Sequence, residues 1–310
     1  MKKVLVTGGC GFIGSNLIPL LLDSGYEVRV LDNLSVGNLE NLAGMDVEII
    51  EGDVREMTTV SKSIHGCHLV VHLAAQTGVI PSQHNPRLDF ETNVGGTLNL
   101  LQESVSQNIE KFILASSNAP LGKVVPPIDE QKPPHPLSPY GASKLAGEGY
   151  CHAFYGSYGL PTVVLRFANV YGIGSNHKES VVARFIKDIL DHDEMIIYGD
   201  GHQTRDLIFV SDLSKAILKA LETQTSNGHV IQIATGVETQ INGLAEKIRL
   251  AMNRPDATIR HLPARAGEII RNYSCIDLAK ALLNWQPITS LDKGISLTCQ
   301  WFLNNRKLKR

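Results

Sequence analysis

The amino-acid sequence predicts an α/β fold: a doubly wound parallel sheet followed by a smaller, mixed α/β C-terminal lobe. In the first half of the chain, short and nearly continuous apolar runs alternate with segments of helical spacing, which is typical of parallel strands covered on both faces by crossover helices. Beyond Phe167 this alternation stops and the segments become irregular and rich in loops. We therefore expect a sheet-forming lobe over residues 1–167, with residues 205–235 returning to it, and a substrate lobe over residues 168–310.

Each run in the first half is assigned from its own pattern. The buried strands are predicted from six apolar runs, at residues 3–7, 27–32, 47–53, 68–75, 111–117 and 162–167. Segments with helical spacing fill the intervals, beginning at Phe12, after Asp53, at Asp89 and at Tyr140. Gly25 and Gly159 follow two of these helices at the position of a C-cap. Ser138 and Pro139 suit the N-cap and the first position of the last helix.

Composition and charge restrict the class of protein. The chain has 310 residues, of which 43% are hydrophobic and 19% are charged, and its net charge is -2. Basic and acidic residues are interspersed, so neither nucleic acid nor a membrane surface is an expected partner. The five cysteines are widely spaced without a Cys-x-x-Cys pair, and no apolar stretch is long enough for a membrane span. These features together predict a cytoplasmic protein.

The turn after the first predicted strand, TGGCGFIG, has the spacing of a dinucleotide-binding site. Gly8, Gly11 and Gly14 are three residues apart, and glycine there allows a tight turn and a close approach of backbone N–H groups to a pyrophosphate. Asp32 ends the second strand 18 residues beyond Gly14, where a carboxylate binds the ribose hydroxyls of adenosine and repels a 2′-phosphate. A Rossmann-type sheet that binds NAD rather than NADP is therefore predicted.

The segment SPYGASK carries the strongest chemical signal. On the helix that starts after Ser138, Tyr140 and Lys144 lie four residues apart and therefore share one face. Free tyrosine has a pKa of about 10. A neighbouring ammonium and a cationic nicotinamide would both lower that pKa, so Tyr140 is predicted to be a catalytic base.

These motifs together resemble those of the extended short-chain dehydrogenase/reductase superfamily, and within it the nucleotide-sugar epimerase/dehydratase group typified by the UDP-glucose 4-epimerases. The resemblance extends over nearly the whole chain, because TGGCGFIG, DNLS, GDV, HLAAQ, NVGGT, SPYGASKLAGE, LRFANVYG, YGDGHQTRD and RAGE occur in that order. It implies an NAD-dependent UDP-hexose 4-epimerase that acts through a transient 4-keto sugar. The alternatives are another nucleotide-sugar enzyme (a dehydratase, decarboxylase or reductase) and a catalytically silent NAD-sensing protein.

The resemblance also assigns site residues. It places the catalytic serine at Ser117, beside Tyr140 and Lys144. The cofactor contacts expected from the motifs and the resemblance are Gly8, Gly11, Phe12, Ile13, Gly14, Asp32, Asn33, Asp53, Val54, Leu73, Ala74, Ala75, Gln76, Asn93, Tyr140 and Lys144. The substrate contacts implied by the resemblance are Ser117, Asn169, Val181, Tyr198, Arg205, Arg265, Glu268 and Asn272.

Two departures from the family pattern refine the expected reaction. Relatives that eliminate water across C5 and C6 carry an Asp-Glu pair directly after the catalytic residue, and Asn118 and Ala119 stand at those positions here, which disfavours dehydration. Hexose-restricted epimerases have a tyrosine four residues after the acid that matches Glu268, whereas this chain has Asn272. The smaller side chain would leave room for a 2-acetamido group, unless Tyr273 fills the space.

Assembly and metal content are further expectations. The resemblance implies a homodimer formed by the helices that contain residues 93–105 and 140–155. The residues that would lie at this interface, or else face the sheet, are Leu98, Leu101, Ala146 and Tyr150. No metal is expected, because the histidines and the cysteine of HGCHLVVH span a helix end and a buried strand and so point in different directions.

Overall fold

The computed structural model describes residues 1–264 and 269–308, and its central feature is a sheet of seven parallel strands. The strands of the described chain are β1 (Lys3–Thr7), β2 (Glu27–Asp32), β3 (Glu48–Glu51), β4 (Leu69–His72), β5 (Lys111–Ser117), β6 (Thr162–Phe167), β7 (Asn169–Tyr171), β8 (Glu194–Tyr198), β9 (Thr204–Arg205), β10 (Leu207–Phe209), β11 (Val230–Ile233), β12 (Thr239–Gln240) and β13 (Thr258–Leu262). The seven-stranded sheet has the order β11-β6-β5-β4-β1-β2-β3, and every neighbouring pair is parallel. The predicted fold class is confirmed.

Helices connect these strands. Those of the described chain are α1 (Phe12–Asp23), α2 (Met57–Ile64), α3 (Val79–His84), α4 (Pro86–Phe90), α5 (Gly96–Ser106), α6 (Pro139–Tyr158), α7 (Val181–His192), α8 (Val210–Glu222), α9 (Ile241–Ala251), α10 (Asp277–Leu283) and α11 (Leu291–Leu308). A π-helical turn at Glu91–Gly95 joins α4 to α5, and short 3₁₀ turns occur at Leu39–Leu42, Ala119–Leu121 and Gln224–Ser226. Each of the six predicted apolar runs contains a strand of the sheet.

Both faces of the sheet are covered by apolar clusters, as the alternation of side chains along a strand requires. Val4 and Val6 pack on one face with α1 and α8, whereas Leu5 packs on the other face with α2, α5 and α6. Two predicted strands are shorter than expected, because residues 52–53 and 73–75 leave the sheet after the last paired residue. Residues 73–75 instead form the wall of a cleft.

A second lobe has its own apolar core, built from α7, β8, α9 and α11. In this lobe β8 pairs in parallel with β13, and the short strands pair as β7 with β10 and β9 with β12. The chain returns from this lobe to the sheet twice. In the first return β11 pairs with β6 and α8 packs on the sheet, and in the second return α10 and Trp285 pack in the same core. The sequence did not indicate the second return. No helix in the described part of the chain combines the length and apolar character needed to cross a membrane.

Candidate active site

A cleft of about 350 Å³ lies at the carboxyl edge of the sheet. It opens beside β1, where the strand order turns from β2 on one side to β4 on the other, which is the usual ligand position in a doubly wound sheet. The predicted cofactor residues that line it are Gly8, Gly11, Phe12, Ile13, Gly14, Asp32, Asn33, Val54, Leu73, Ala74, Ala75, Gln76, Tyr140 and Lys144. Two expected contacts, Asp53 and Asn93, do not line it.

The turn between β1 and α1 has room only for glycine at two positions. A Cβ atom on Gly8, whose φ is 69°, would lie 2.7 Å from the backbone nitrogen of Ala74, and one on Gly14 would lie 2.5 Å from the Cα of Gly9. The absence of side chains brings the N-terminus of α1 to the wall of the cleft. Its free N–H groups and the partial positive charge of the helix end suit a diphosphate, so the turn fits NAD.

Asp32 is buried and held in a fixed orientation at the cleft. One carboxylate oxygen accepts a hydrogen bond from the Cys10 N–H and the other from the Leu34 N–H, each at 2.9 Å. Because a carboxylate oxygen accepts more than one hydrogen bond, Asp32 can still bind ribose hydroxyls. Asp53 differs, since its carboxylate forms an ion pair with Arg55 at 2.8 Å and accepts from Asn33 at 2.9 Å. Hydrogen bonds from Arg55 lower the pKa of Asp53 to about 2.

The N-terminus of α6 places Tyr140 and Lys144 in the cleft. The Ser138 hydroxyl accepts a hydrogen bond from the Gly141 N–H at 3.1 Å, and Pro139 occupies the first turn, as predicted. Lys144 is 6% exposed, and its ammonium donates to the backbone carbonyl of Ala115 at 2.9 Å. Burial lowers the pKa of Lys144 to about 8, although the carboxylates of Asp89 and Glu148 oppose this effect.

The electrostatics of Tyr140 differ from the expectation. Burial raises the pKa of its phenol, a hydrogen bond with the Ser117 side chain lowers it, and the carboxylate of Asp89 raises it again. The Lys144 ammonium, which is expected to lower this pKa, donates to the Ala115 carbonyl. With the protein's own groups alone, Tyr140 is therefore held as the neutral phenol.

A buried network behind Tyr140 was not predicted from the sequence. The Asn93 amide donates to the Gln76 carbonyl at 2.9 Å, to Asp89 at 3.1 Å and to the Ser143 hydroxyl at 3.1 Å, and its oxygen accepts from the Gln76 N–H at 2.8 Å. Asn93 thus fixes the cleft wall instead of lining it. Asp89 is 1% exposed, and one of its oxygens has no hydrogen-bond partner among the described residues. No local pattern identifies Asp89, because Ser143 and Lys144, which act on its carboxylate, lie on α6, far from it in the sequence.

A second cavity of about 210 Å³ adjoins the end of β6 within the second lobe. Phe167, the last residue of β6, lines the first cleft, and Asn169, two residues later, lines the second cavity. Four predicted substrate contacts line this cavity: Asn169, Val181, Tyr198 and Arg205. Arg205 donates to the backbone carbonyls of Thr204 and Ile269 at 2.7 and 2.8 Å. Arg184 was not predicted, but it lines the cavity with its guanidinium 5.4 Å from the ring centre of Tyr198.

The remaining predicted residues have separate positions. Ser117 ends β5 opposite Phe167, and its hydroxyl accepts from the Ala119 N–H at 3.1 Å. Asn272 lies next to β9, where its N–H donates to the Thr204 hydroxyl at 3.3 Å. Arg265 and Glu268 lie outside the described residues.

The histidines of HGCHLVVH lie apart from the two cavities. His68 accepts a hydrogen bond from the Lys3 N–H at 3.1 Å, and His72 is buried between Thr7 and Thr97. Within residues 1–264 and 269–308, no three His, Cys, Asp or Glu side chains are grouped as metal ligands.

Comparison with known proteins places this geometry among nucleotide-sugar enzymes. The profile of the NAD dependent epimerase/dehydratase family matches residues 4–234. A UDP-glucose 4-epimerase of Mycolicibacterium smegmatis is 35% identical over 97% of this chain and 99% of that protein. The crystal structure of a UDP-glucose 4-epimerase from Thermotoga maritima with UDP-glucose is similar with a TM-score of 0.93, at 36% identity over 98% of this chain and 99% of that one. A UDP-N-acetylglucosamine 4-epimerase from Methanobrevibacter ruminantium, in complex with UDP-N-acetylmuramic acid, gives a TM-score of 0.93 at 33% identity, over 98% and 99% of the two chains.

Proposed function

The chain belongs to the NAD-dependent epimerase/dehydratase family, and on this basis we propose that it is a UDP-hexose 4-epimerase. NAD is its cofactor. The observation that carries the proposal is the position of Tyr140, which lines the NAD cleft together with Lys144 and lies near Ser117 at the end of β5. The second cavity begins at Asn169, two residues beyond the end of β6, the strand that pairs with β5, and it is the proposed site of the nucleotide.

The proposed chemistry uses Tyr140 as the proton carrier and Ser117 and Lys144 as its supports. The glycine turn and Asp32 would hold NAD, which when bound would supply the hydride acceptor and donor for C4 of the sugar. Tyr140 takes the proton from O4 as the C4–H bond breaks, which leaves a 4-keto sugar, and it returns the proton when the keto sugar is reduced on its other face. Ser117 hydrogen-bonds O4 and the Tyr140 oxygen. Lys144, as a cation beside the cleft, favours the ionised form of Tyr140.

The second cavity would anchor the nucleotide while the sugar turns over. We assign the base to the apolar side between Val181 and Tyr198 and the diphosphate to Asn169 and Arg205, because guanidinium donors suit phosphate oxygens. Arg265 and Glu268 stay predictions for the diphosphate and the uridine ribose. Anchoring at the nucleotide lets the hexose reorient without leaving the protein.

A panel of nucleotide sugars tests the proposed reaction. Incubation with UDP-glucose should give UDP-galactose, and the reverse, until the same equilibrium mixture is reached from both sides, as followed by proton NMR of the products. Added NADH should not be consumed, because the cofactor is regenerated in every cycle. A 4-keto-6-deoxy sugar would identify a dehydratase, release of carbon dioxide from a UDP-hexuronate a decarboxylase, and net use of NADH a reductase; each result would replace the epimerase assignment.

Substrate breadth is tested at Asn272. Its side-chain oxygen is buried and has no hydrogen-bond partner among the described residues, so it is available to accept from the N–H of a 2-acetamido group. We expect the wild type to use UDP-GlcNAc and UDP-GalNAc beside UDP-Glc and UDP-Gal, and Asn272→Tyr to lose kcat/KM selectively for the N-acetylated pair. Asn305→Tyr, on α11, controls for the added ring. Rejection of N-acetylated sugars by the wild type would contradict this proposal and leave the 4-epimerase assignment intact.

A further inference from the structure

The loop of residues 172–180, between β7 and α7, reaches from the second lobe to the glycine turn of the first. The Asn16 amide on α1 donates to the Ile173 carbonyl at 2.9 Å. Gly174, with a φ of 88°, lies so close to α1 that a Cβ atom there would be 3.6 Å from the Phe12 ring. These contacts dock the loop beside the N-terminal turn of α1, and the residues that follow, His177 and Lys178, line the NAD cleft.

Lys178 differs from the other cationic side chains of this cleft. Arg55 is paired with Asp53. Lys144 donates to a backbone carbonyl, and the carboxylates of Asp89 and Glu148 act on its charge. Lys178 has no carboxylate within ion-pair distance in the described part of the chain. Burial lowers the pKa of its ammonium, and no acidic group among the described residues opposes that effect.

The neighbours of Lys178 make the same region positive. The Lys187 ammonium donates to the Lys178 carbonyl at 2.9 Å and also pairs with Glu179, which lines the second cavity. His177 lines the cleft next to it, and burial together with Lys178 and Lys187 lowers the pKa of its imidazole. A partly buried ammonium without a counter-ion is costly, so the position favours an anionic ligand.

We propose that Lys178 binds the diphosphate of NAD from the side of the second lobe. The N-terminus of α1 offers N–H groups and about half a positive charge, which does not neutralise a diphosphate dianion removed from water. Lys178 supplies the missing charge from the docked loop. The second lobe thereby holds the cofactor as well as the substrate, and release of NAD requires the docked loop to separate from α1. This inference rests on NAD binding and not on the epimerase reaction.

Exchange of bound NAD measures the contribution of Lys178 without using activity. Purified holoenzyme is mixed with an excess of isotopically labelled NAD, and the rate of release of unlabelled NAD is followed by mass spectrometry. We expect Lys178→Met to release NAD about 10- to 100-fold faster, the usual effect of losing a charged hydrogen bond. Lys178→Arg should restore slow release, and Lys293→Met, which removes an exposed cation on α11, should behave as wild type. Higher salt should accelerate release from the wild type more than from Lys178→Met.

The substrate diphosphate is the competing source of the anion. UDP affinity, measured by calorimetry on the same holoenzymes, should be unchanged in Lys178→Met. A loss of UDP affinity with unchanged NAD release would overturn the proposal and assign Lys178 to the substrate. Unchanged values for both ligands would overturn it as well. Lys178→Gln, whose side chain is polar, serves as the second variant if the methionine disturbs the loop.

Discussion

At the scale of single residues, the polar groups behind the cleft fix one another in one protonation pattern. Thr97 gives its only hydroxyl hydrogen to the Asn93 carbonyl at 2.6 Å, so it accepts from the His72 Nε2–H at 3.0 Å. The Nδ1 of His72 then accepts from the Thr7 hydroxyl at 2.7 Å, and the Thr7 oxygen accepts from the Ala74 N–H at 3.2 Å. His72 is therefore a neutral imidazole that ties the end of β4 to the glycine turn.

This histidine makes stability depend on pH. Burial lowers the pKa of His72 to about 3, from 6.5, so between these values the unfolded chain binds a proton that the folded chain does not. The contribution of neutral His72 to the free energy of unfolding should therefore be complete above pH 6.5, and the free energy of unfolding should fall by a few kcal/mol as the pH decreases toward 3. His72→Gln should be less stable at pH 7 but show a flatter decline between pH 6.5 and 4 in urea unfolding, whereas exposed His192→Gln should follow the wild type. Parallel curves for His72→Gln and the wild type would contradict this assignment.

The role of Tyr140 is tested by the loss of one oxygen. Tyr140→Phe should reduce kcat about 100- to 10,000-fold, because only the proton carrier is removed. The NAD content of the purified protein should stay at the wild-type level, since the glycine turn and Asp32 are untouched. Tyr158→Phe, at the exposed end of the same helix, is the matched control and should retain full activity. Substantial turnover by Tyr140→Phe in an assay of UDP-sugar interconversion would remove Tyr140 from its proposed role.

The site residues that the sequence predicts are those with a local signature. Gly8, Gly14 and the Tyr140–Lys144 pair are readable because a turn or a helix face fixes their relation within a few residues. The roles of Asp89 and Lys178 could not be predicted from the sequence, because the residues around each of them come from segments far apart in the chain. The contact between the Lys144 ammonium and a carbonyl of β5 is not readable for the same reason, because it joins two separate segments of the chain.

At the scale of elements, the strands of the sheet were predictable and most strands of the second lobe were not. A strand such as β5 is apolar throughout because both of its faces are buried, and this leaves a clear pattern. By contrast, β9 and β12 have two residues each and exist only because they pair across a long interval of the chain. Short pairs of this kind depend on tertiary packing and leave no periodic signal.

The N-cap of α6 connects an element to the catalytic site. Ser138→Ala removes the hydroxyl that accepts from the Gly141 N–H, and this should lower the free energy of unfolding by about 1 kcal/mol. Because Tyr140 and Lys144 lie in the first turns of α6, fraying there should also reduce kcat while NAD stays bound. Ser157→Ala, an exposed site near the end of α6, should not destabilise the protein, since alanine has the higher helix propensity. Equal stability of wild type and Ser138→Ala in urea unfolding would count against a stabilising cap.

At the scale of the whole molecule, one surface exposes several large apolar side chains. Helices α3, α4 and α5 pack along α6, and Val79, Ile80, Phe90 and Tyr150 are exposed on them. Leu101, a candidate from the sequence, is instead fully buried in the sheet core, because its side of α5 faces the strands. The expected homodimer would therefore use Tyr150 and its exposed neighbours.

Sedimentation velocity at micromolar concentration tests this assembly. We expect the wild type to sediment as a dimer and Phe90→Glu to shift toward the monomer, because a buried charge at the interface is costly. Phe90 is 55% exposed in the single chain, and Leu250 on α9 is 66% exposed. Leu250→Glu is therefore the control, and it should remain dimeric. A monomeric wild type would refute the dimer.

The two returns of the chain to the sheet also set the order in which a nascent protein becomes complete. On the ribosome, β6 emerges long before β11, its neighbour at the edge of the sheet. The apolar cores of the two lobes are completed later still. The core of the first lobe needs α10 and Trp285, and the core of the second lobe needs α11. Vectorial synthesis therefore leaves the first lobe with uncovered apolar surface until α10 and Trp285 have been translated. A premature stop before α10 would therefore release a fragment with exposed apolar surface, which we expect to aggregate or to be bound by chaperones and degraded, and not an independent cofactor-binding module.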